Sequence, residues 1–234
     1  MKQLPSAAFQ PRAVPLTAWS RGQALAMTLS LGMCIWQRTA WPVVASAPCL
    51  FAFLLVLGRR AHTPSGRFGL ANAITCLRLL VLLTLGLPPR WLDPWSALAI
   101  TLLVLALDLV DGWLARRFGD ASAFGAHFDM ETDALLVLIV TLRLWLAQQY
   151  PPWVLISGGL RYAYVLWLWA WPGPAAAREA PRSRLARSAF TLLMLGLCLG
   201  LVLPGFAGQL AVALGTLVVS FSFARSCYFS RLTS

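Results

Sequence analysis

The chain has 234 residues, 59% of them hydrophobic and only 12% charged, against about 25% charged in an ordinary soluble domain. That balance argues against a water-soluble enzyme and for a bundle of membrane helices, with too little chain left for a large soluble domain beside it. The formal net charge of +11 does not imply nucleic acid, because no basic stretch is interleaved with exposed aromatics.

Residues 1–22 are polar to mixed, with Lys2, Arg12 and Arg21, and read as a cytoplasmic tail. No cleaved signal peptide is expected, since the first long apolar run begins near Gln23 and no convincing small-residue cleavage site follows a short apolar stretch. Two apolar runs follow, about Gln23–Trp36 and Trp41–Leu57, broken at Gln37-Arg38-Thr39. They predict a hairpin, although the first run is short against the roughly 20 residues a span needs. Gly58–Phe68 carries Arg59, Arg60, His62 and Arg67 and reads as a basic loop or surface helix.

Six more runs cover about 70–87, 95–115, 126–147, 152–171, 188–204 and 208–224. Pro88-Pro89, Pro94, Pro151-Pro152, Pro172-Gly173-Pro174 and Pro204-Gly205 mark breaks, and Trp91, Trp95, Trp153, Trp169 and Trp171 crowd the run ends as an interfacial belt would. Cys34, Cys49, Cys76, Cys198 and Cys227 lie far apart with no CxxC pair, so they read as packing residues.

Lys and Arg sort by side. The breaks 58–68, 116–125 and 173–187, with both tails, hold nearly all the basic residues outside the runs, while the opposite breaks hold only Arg38 and Arg90. The positive-inside rule then predicts about eight spans, both termini in the cytoplasm, and a multi-pass protein of the plasma (inner) membrane. The fold class is all-α: a six-helix transmembrane core over 68–226, preceded by a tail and extra hydrophobic hairpin over 1–67 and followed by a short cytoplasmic tail over 227–234.

Six of the eight acidic residues, Asp108, Asp111, Asp120, Asp129, Glu131 and Asp133, fall within 26 positions. Ionisable groups at membrane depth are costly and mark function by default. Residues three and four apart share a helix face, so Asp108, Asp111, Gly112 and Ala115 form one stripe, with Arg116 beside it. Gly125, Asp129 and Asp133 form a second on the next helix. Glu131 is rotated roughly 200° from Asp129 and points elsewhere. The short break 116–125 predicts that the two helices are antiparallel neighbours whose stripes face each other. Four converging carboxylates repel unless neutralised, and all-oxygen ligands favour one or two ions of Mg²⁺, Mn²⁺ or Ca²⁺. The competing reading pairs these acids with Arg78, Arg116 and Arg117.

The pattern Asp108-x-x-Asp111-Gly112-x-x-Ala115-Arg116, eight residues, then Gly125-x-x-x-Asp129-x-x-x-Asp133 resembles the defining motif of the CDP-alcohol phosphatidyltransferase family. Asn72-x-x-Thr75-x-x-Arg78 is similar, more loosely, to the start of that family's first core helix. The resemblance covers about residues 68–226. It implies that a CDP-linked donor lipid binds on the cytoplasmic side and that CMP leaves. It implies that Asp108, Asp111 and Asp129 hold Mg²⁺ or Mn²⁺, with Asp133 as ligand and general base. Gly112, Ala115 and Gly125 would leave room for cytidine and ribose, Arg116 would meet the diphosphate, and Asn72, Thr75 and Arg78 would neighbour the donor. Homodimers are common in the family.

The acceptor alcohol is not written in the motif. Glycerol 3-phosphate is the first candidate, because Arg161 within the fourth core run and the loop from Arg182 through Arg184 to Arg187 offer phosphate partners. For Arg161 the alternative is a buried pair with an acid. Arg143 reads as an interfacial anchor, His127 as structural, and Trp113, Phe124 and Phe128 as packing. Two other functions fit less well. A CDP-alcohol could give its polar head to a lipid, and a divalent cation transporter would also carry intramembrane acids, but near the bilayer midplane rather than at one end.

Overall fold

The computed structural model describes residues 16–58, 62–63, 68–118, 122–147, 150–171, 184–203 and 205–232. Among them there are eight α-helices and no strand: α1 Leu16–Gln37, α2 Trp41–Gly58, α3 Leu70–Leu83, α4 Pro94–Phe118, α5 Ala123–Ala147, α6 Leu155–Ala170, α7 Arg184–Val202 and α8 Gly205–Leu232. Short 3₁₀ turns at Thr84–Gly86, Pro89–Trp91 and Pro152–Val154 fill the proline-rich breaks.

Local chemistry sets several ends. Asp93 precedes Pro94 and accepts from the backbone N–H groups of Trp95 at 2.9 Å and Ser96 at 3.1 Å, an N-cap followed by proline at the first helical position. Ser122 does the same for α5, its hydroxyl accepting the Gly125 N–H at 2.9 Å. At the tight α7–α8 turn Gly205 has φ 63°, which costs glycine nothing.

α5 is the axis of the bundle. Residues 131–145 are all buried, which is why its apolar residues run round the whole helix instead of along one stripe. α3, α6 and α7 pack on it; α4 packs on α3 and α7, and α6 on α8. α7 and α8 form the most intimate pair, because Gly196 faces the Ala211 backbone and Gly215 the Leu193 backbone so closely that a side chain at either would collide. The hairpin joins this body through α1, which packs on α6 as well as on α2.

Four helices are long and apolar enough to cross a membrane: Trp41–Gly58, Pro94–Phe118, Leu185–Val202 and Gly205–Tyr228. The apolar helix Leu70–Gly86 is shorter. α5 carries Glu131, Asp133 and Arg143 buried inside the bundle, and Asp129 about one-third exposed.

One expectation changes. The first helix begins at Leu16, not near Gln23, so part of the supposed polar tail is helix; Trp19, Ser20 and Gln23 are buried in it. α8 runs through Leu232. α4 and α5 both pack on α3, and their acidic stripes face each other as expected, with Arg78 of α3 among the carboxylates.

Candidate functional site

The stripes meet around one side chain. Arg78 projects from α3 with no exposed surface, and Nη1 lies 2.8 Å from Asp108 Oδ1, 2.9 Å from Asp111 Oδ2 and 2.6 Å from Asp129 Oδ1. Nη2 lies 2.9 Å from Asp133 Oδ1. The Thr75 hydroxyl, one turn before Arg78, donates to Asp111 Oδ2 at 3.0 Å. Asp111 and Asp133 are buried at the floor, with 7% and 11% of their side chains exposed, whereas Asp108 and Asp129, at 33% and 34%, form an open mouth. Asn72, Thr75 and Arg78 thus share the buried face of α3, spaced at three residues.

The competing reading, acids paired with an arginine, is therefore met by Arg78. It does not account for the whole site. Four carboxylates around one guanidinium leave three formal negative charges when all are ionised, and Arg78 engages one oxygen of each. Ligand oxygens of Asp108, Asp111 and Asp129 can all lie within 4.8 Å of one another. Such an oxygen-only donor set fits a hard divalent cation.

The small residues of the motif lie beside this cluster. Gly112 and Ala115 are half-buried; Arg116 is exposed and folds back along Gly112, its Nη1 3.4 Å from where a Cβ would stand on that glycine. At Gly125 a Cβ would come within 3.0 Å of Asn72 Oδ1 and 3.3 Å of Ser122 Oγ. Asn72 donates to the Phe68 carbonyl at 2.6 Å and the His62 carbonyl at 3.0 Å, and the Ser122 hydroxyl donates to the same His62 carbonyl at 2.6 Å. The His62 ring packs on Phe124, centroids 4.6 Å apart, with Nε2 3.0 Å from the Leu55 carbonyl. His62 therefore ties the ends of α2, α3 and α5 together. Reading it only as part of a basic loop missed this, and a lone histidine gives no sequence signal for it.

Glu131 faces away from the aspartates. It accepts from Arg161 Nη2 at 2.6 Å and from the Ser20 hydroxyl of α1 at 2.9 Å. His127 packs edge-on to Trp19, 5.6 Å between centroids, and lies 3.4 Å from the Ser20 hydroxyl. The structure thus pairs Arg161 with an acid, and Arg161 Nε is buried with no partner. The Ser20 link is the residue contact the sequence reading overlooked, although polar Ser20 and Gln23 one turn apart at the start of an apolar helix were a signal. Arg143, expected as an interfacial anchor, is buried in the protein and donates to the Leu85 and Leu92 carbonyls. Phe124 and Phe128 are core residues, and Trp113 is exposed. Arg187 is exposed on α7; Arg182 and Asp120 lie outside the described residues.

The sequence profile of the CDP-alcohol phosphatidyltransferase family matches residues 68–223. Among curated proteins, the chain is similar to the CDP-diacylglycerol–glycerol-3-phosphate 3-phosphatidyltransferases of Escherichia coli K12, E. coli O157:H7 and Shigella flexneri serotype 5b, each 30% identical over 91 residues. The matched stretch is 37% of this chain and 48% of each relative, so the chain spans about half the length of the curated relatives it matches. No solved structure matches it.

Proposed function

Because the chain belongs to the CDP-alcohol phosphatidyltransferase family, we propose that it transfers a phosphatidyl group from CDP-diacylglycerol to an alcohol, with glycerol 3-phosphate the first candidate, and releases CMP. The observation that carries this reading is the convergence of Asp108, Asp111, Asp129 and Asp133, from two helices, on the single cation of Arg78.

The residues divide the work as follows. Asp108, Asp111 and Asp129, with Asp133 beside them, would hold one or two Mg²⁺ or Mn²⁺ ions, which would supply charge neutralisation for a diphosphate. Arg78 and Thr75 hold the carboxylates in register, so the site needs little rearrangement when charge develops. Gly112, Ala115 and Gly125 leave the donor's cytidine and ribose room between α4 and α5, with Asn72 behind Gly125 and Arg116 beside the diphosphate. The acceptor hydroxyl oxygen attacks the phosphorus that bears the diacylglycerol, the bond from that phosphorus to the CMP oxygen breaks, and the hydroxyl proton passes to the Asp133 carboxylate. Arg161 and Arg182 are the proposed acceptor contacts.

In this reading the chain crosses the inner membrane eight times, with α3–α8 as the catalytic core over 68–226, the hairpin over 1–67 as an addition, and the site and both termini on the cytoplasmic side; the sorting of Lys and Arg supports that orientation. A homodimer is compatible with it. The position of Asp108 and Asp111 in the last three turns of α4 favours a reaction at the interface over an ion path at the midplane.

The test is CMP release by the purified protein with CDP-diacylglycerol and Mg²⁺ or Mn²⁺ against a panel of acceptor alcohols, with Asp129→Ala as control. Acceptor-dependent release that the control lacks is expected. Absence of release with every acceptor, while a CDP-alcohol and diacylglycerol do yield CMP, would overturn the direction of transfer.

A further inference from the structure

A second charged site lies at the other end of α5. Arg143 stands fourteen residues after Asp129, about 21 Å along the helix at 1.5 Å per residue. There the α1–α2 turn, the α3–α4 connection and α5 enclose a cavity of about 340 Å³, lined by Arg38, Arg90 and Arg143 with Thr39, Trp41 and Leu87 among the remaining wall residues. Three guanidinium groups converge on it from three separate segments. Among the described residues none of the three pairs with a carboxylate, and no acid lines the cavity. The acid whose field reaches Arg143 is Asp93, and its carboxylate is committed to capping α4 through Trp95 and Ser96.

Each arginine is held by something other than an ion pair. Arg143 is 5% exposed and is fixed by the Leu85 and Leu92 carbonyls. Arg38 lies 4.9 Å over the Trp145 ring, and Arg90 lies 5.5 Å from the Trp91 ring. Arg38 also has φ 53°, the left-handed region, where glycine or asparagine would sit without penalty. Strain of this kind, at an arginine facing a cavity, points to use of its side chain.

We propose that this cavity binds a phosphate ester group, contributed by the headgroup of an anionic phospholipid. Arginine forks match phosphate oxygens, and three unneutralised ones favour a group carrying a full negative charge over a zwitterion. The cavity has room for a phosphate with a small polyol attached. Exposed Trp41 and Trp91 mark its rim as interfacial, the level at which lipid phosphates lie. The site exists only where the hairpin meets the core, since Arg38 comes from the α1–α2 turn and Arg143 from α5. It is independent of the proposed transfer reaction.

Equilibrium binding to the full chain in a non-ionic detergent tests it, using short-chain phosphatidylglycerol, short-chain phosphatidylcholine and inorganic phosphate as probes. Phosphatidylglycerol is expected to bind about tenfold or more tightly than phosphatidylcholine, and Arg38→Gln with Arg90→Gln to weaken it about tenfold, roughly threefold for each lost arginine. Arg90→Gln alone, at an exposed turn, is expected to cost about threefold and guards against misfolding of the double variant. Competition by inorganic phosphate at the lipid's own concentration would keep the phosphate site and reassign its source to a soluble anion. Equal affinity for the two lipids, or unchanged affinity in both variants, would overturn the proposal.

Discussion

Two faces of the same helix handle buried carboxylates in opposite ways. On one face of α5, Asp129 and Asp133 join Asp108 and Asp111 around a single arginine, so acids outnumber cations by four to one. On the other, Glu131 alone receives Arg161 and the Ser20 hydroxyl. The first face keeps surplus negative charge and a mouth open to solvent; the second is balanced, with Glu131 buried and Arg161 partly exposed. A buried charge is costly unless matched, so the surplus on the first face fits a further cation, whereas the matched pair on the second joins helices. Residue type alone does not separate the two roles, since Asp129, Glu131 and Asp133 lie within five positions of one another.

The comparison can be broken most sharply on the aspartate side. Asp129→Ala is expected to lower CMP release by about a thousandfold, the scale of losing an electrostatic element of a transition state, while the protein remains folded. Asp133→Asn is expected to lower turnover by about a hundredfold or more and to leave CDP affinity within a fewfold of normal, as loss of a general base should. Normal turnover in that variant would remove Asp133 from the proton transfer. On the balanced face the effect moves from rate to stability. Glu131→Gln strands Arg161 and is expected to cost about 3–5 kcal/mol in unfolding, with the midpoint Mg²⁺ concentration for activity unchanged. Ser20→Ala removes one hydrogen bond to a charged group and is expected to cost about 1.5–3 kcal/mol, read from the same melting curves.

The smallest effect belongs to an acid on neither face. The Asp93 carboxyl, exposed before α4, is held below the usual carboxylate range by the Ser96 hydroxyl and N–H and the Trp95 N–H. Its folded pKa is lowered, so its contribution is present above the unfolded value of about 3.9 and is lost as pH falls through the folded one. Asp93→Asn should therefore flatten the acid side of the stability profile slightly and leave the neutral side unchanged.

Much of the aspartate face was legible because its spacing is local: three or four residues on one helix predict a stripe whatever surrounds it. The eight apolar runs likewise anticipated eight helices among the described residues. What escaped the sequence depends on distant partners. Nothing near Arg78 in the chain says that its one guanidinium is shared by all four aspartates of the two stripes. The start of α1 was placed too late because Ser20 and Gln23 dilute its hydropathy, and they do so because the helix is buried there against α5 and α6. The carbonyl partners of Arg143, read as an interfacial anchor, escaped because Leu85 and Leu92 lie 58 and 51 residues away.

The burial of α5 on every side bears on how the chain enters the bilayer. Asp129, Glu131, Asp133 and Arg143 make this segment a poor substrate for insertion on its own. Its charges are met in stages as synthesis proceeds. Ser20, Arg78, Asp108 and Asp111 precede it in the chain, but Arg161 emerges later, with α6. A nascent chain halted after Ala147 would hold a complete set of aspartates and an uncompensated Glu131. Commitment of the central helix to the membrane is thus expected to wait for α6, and the order of the helices along the chain is itself part of the assembly pathway.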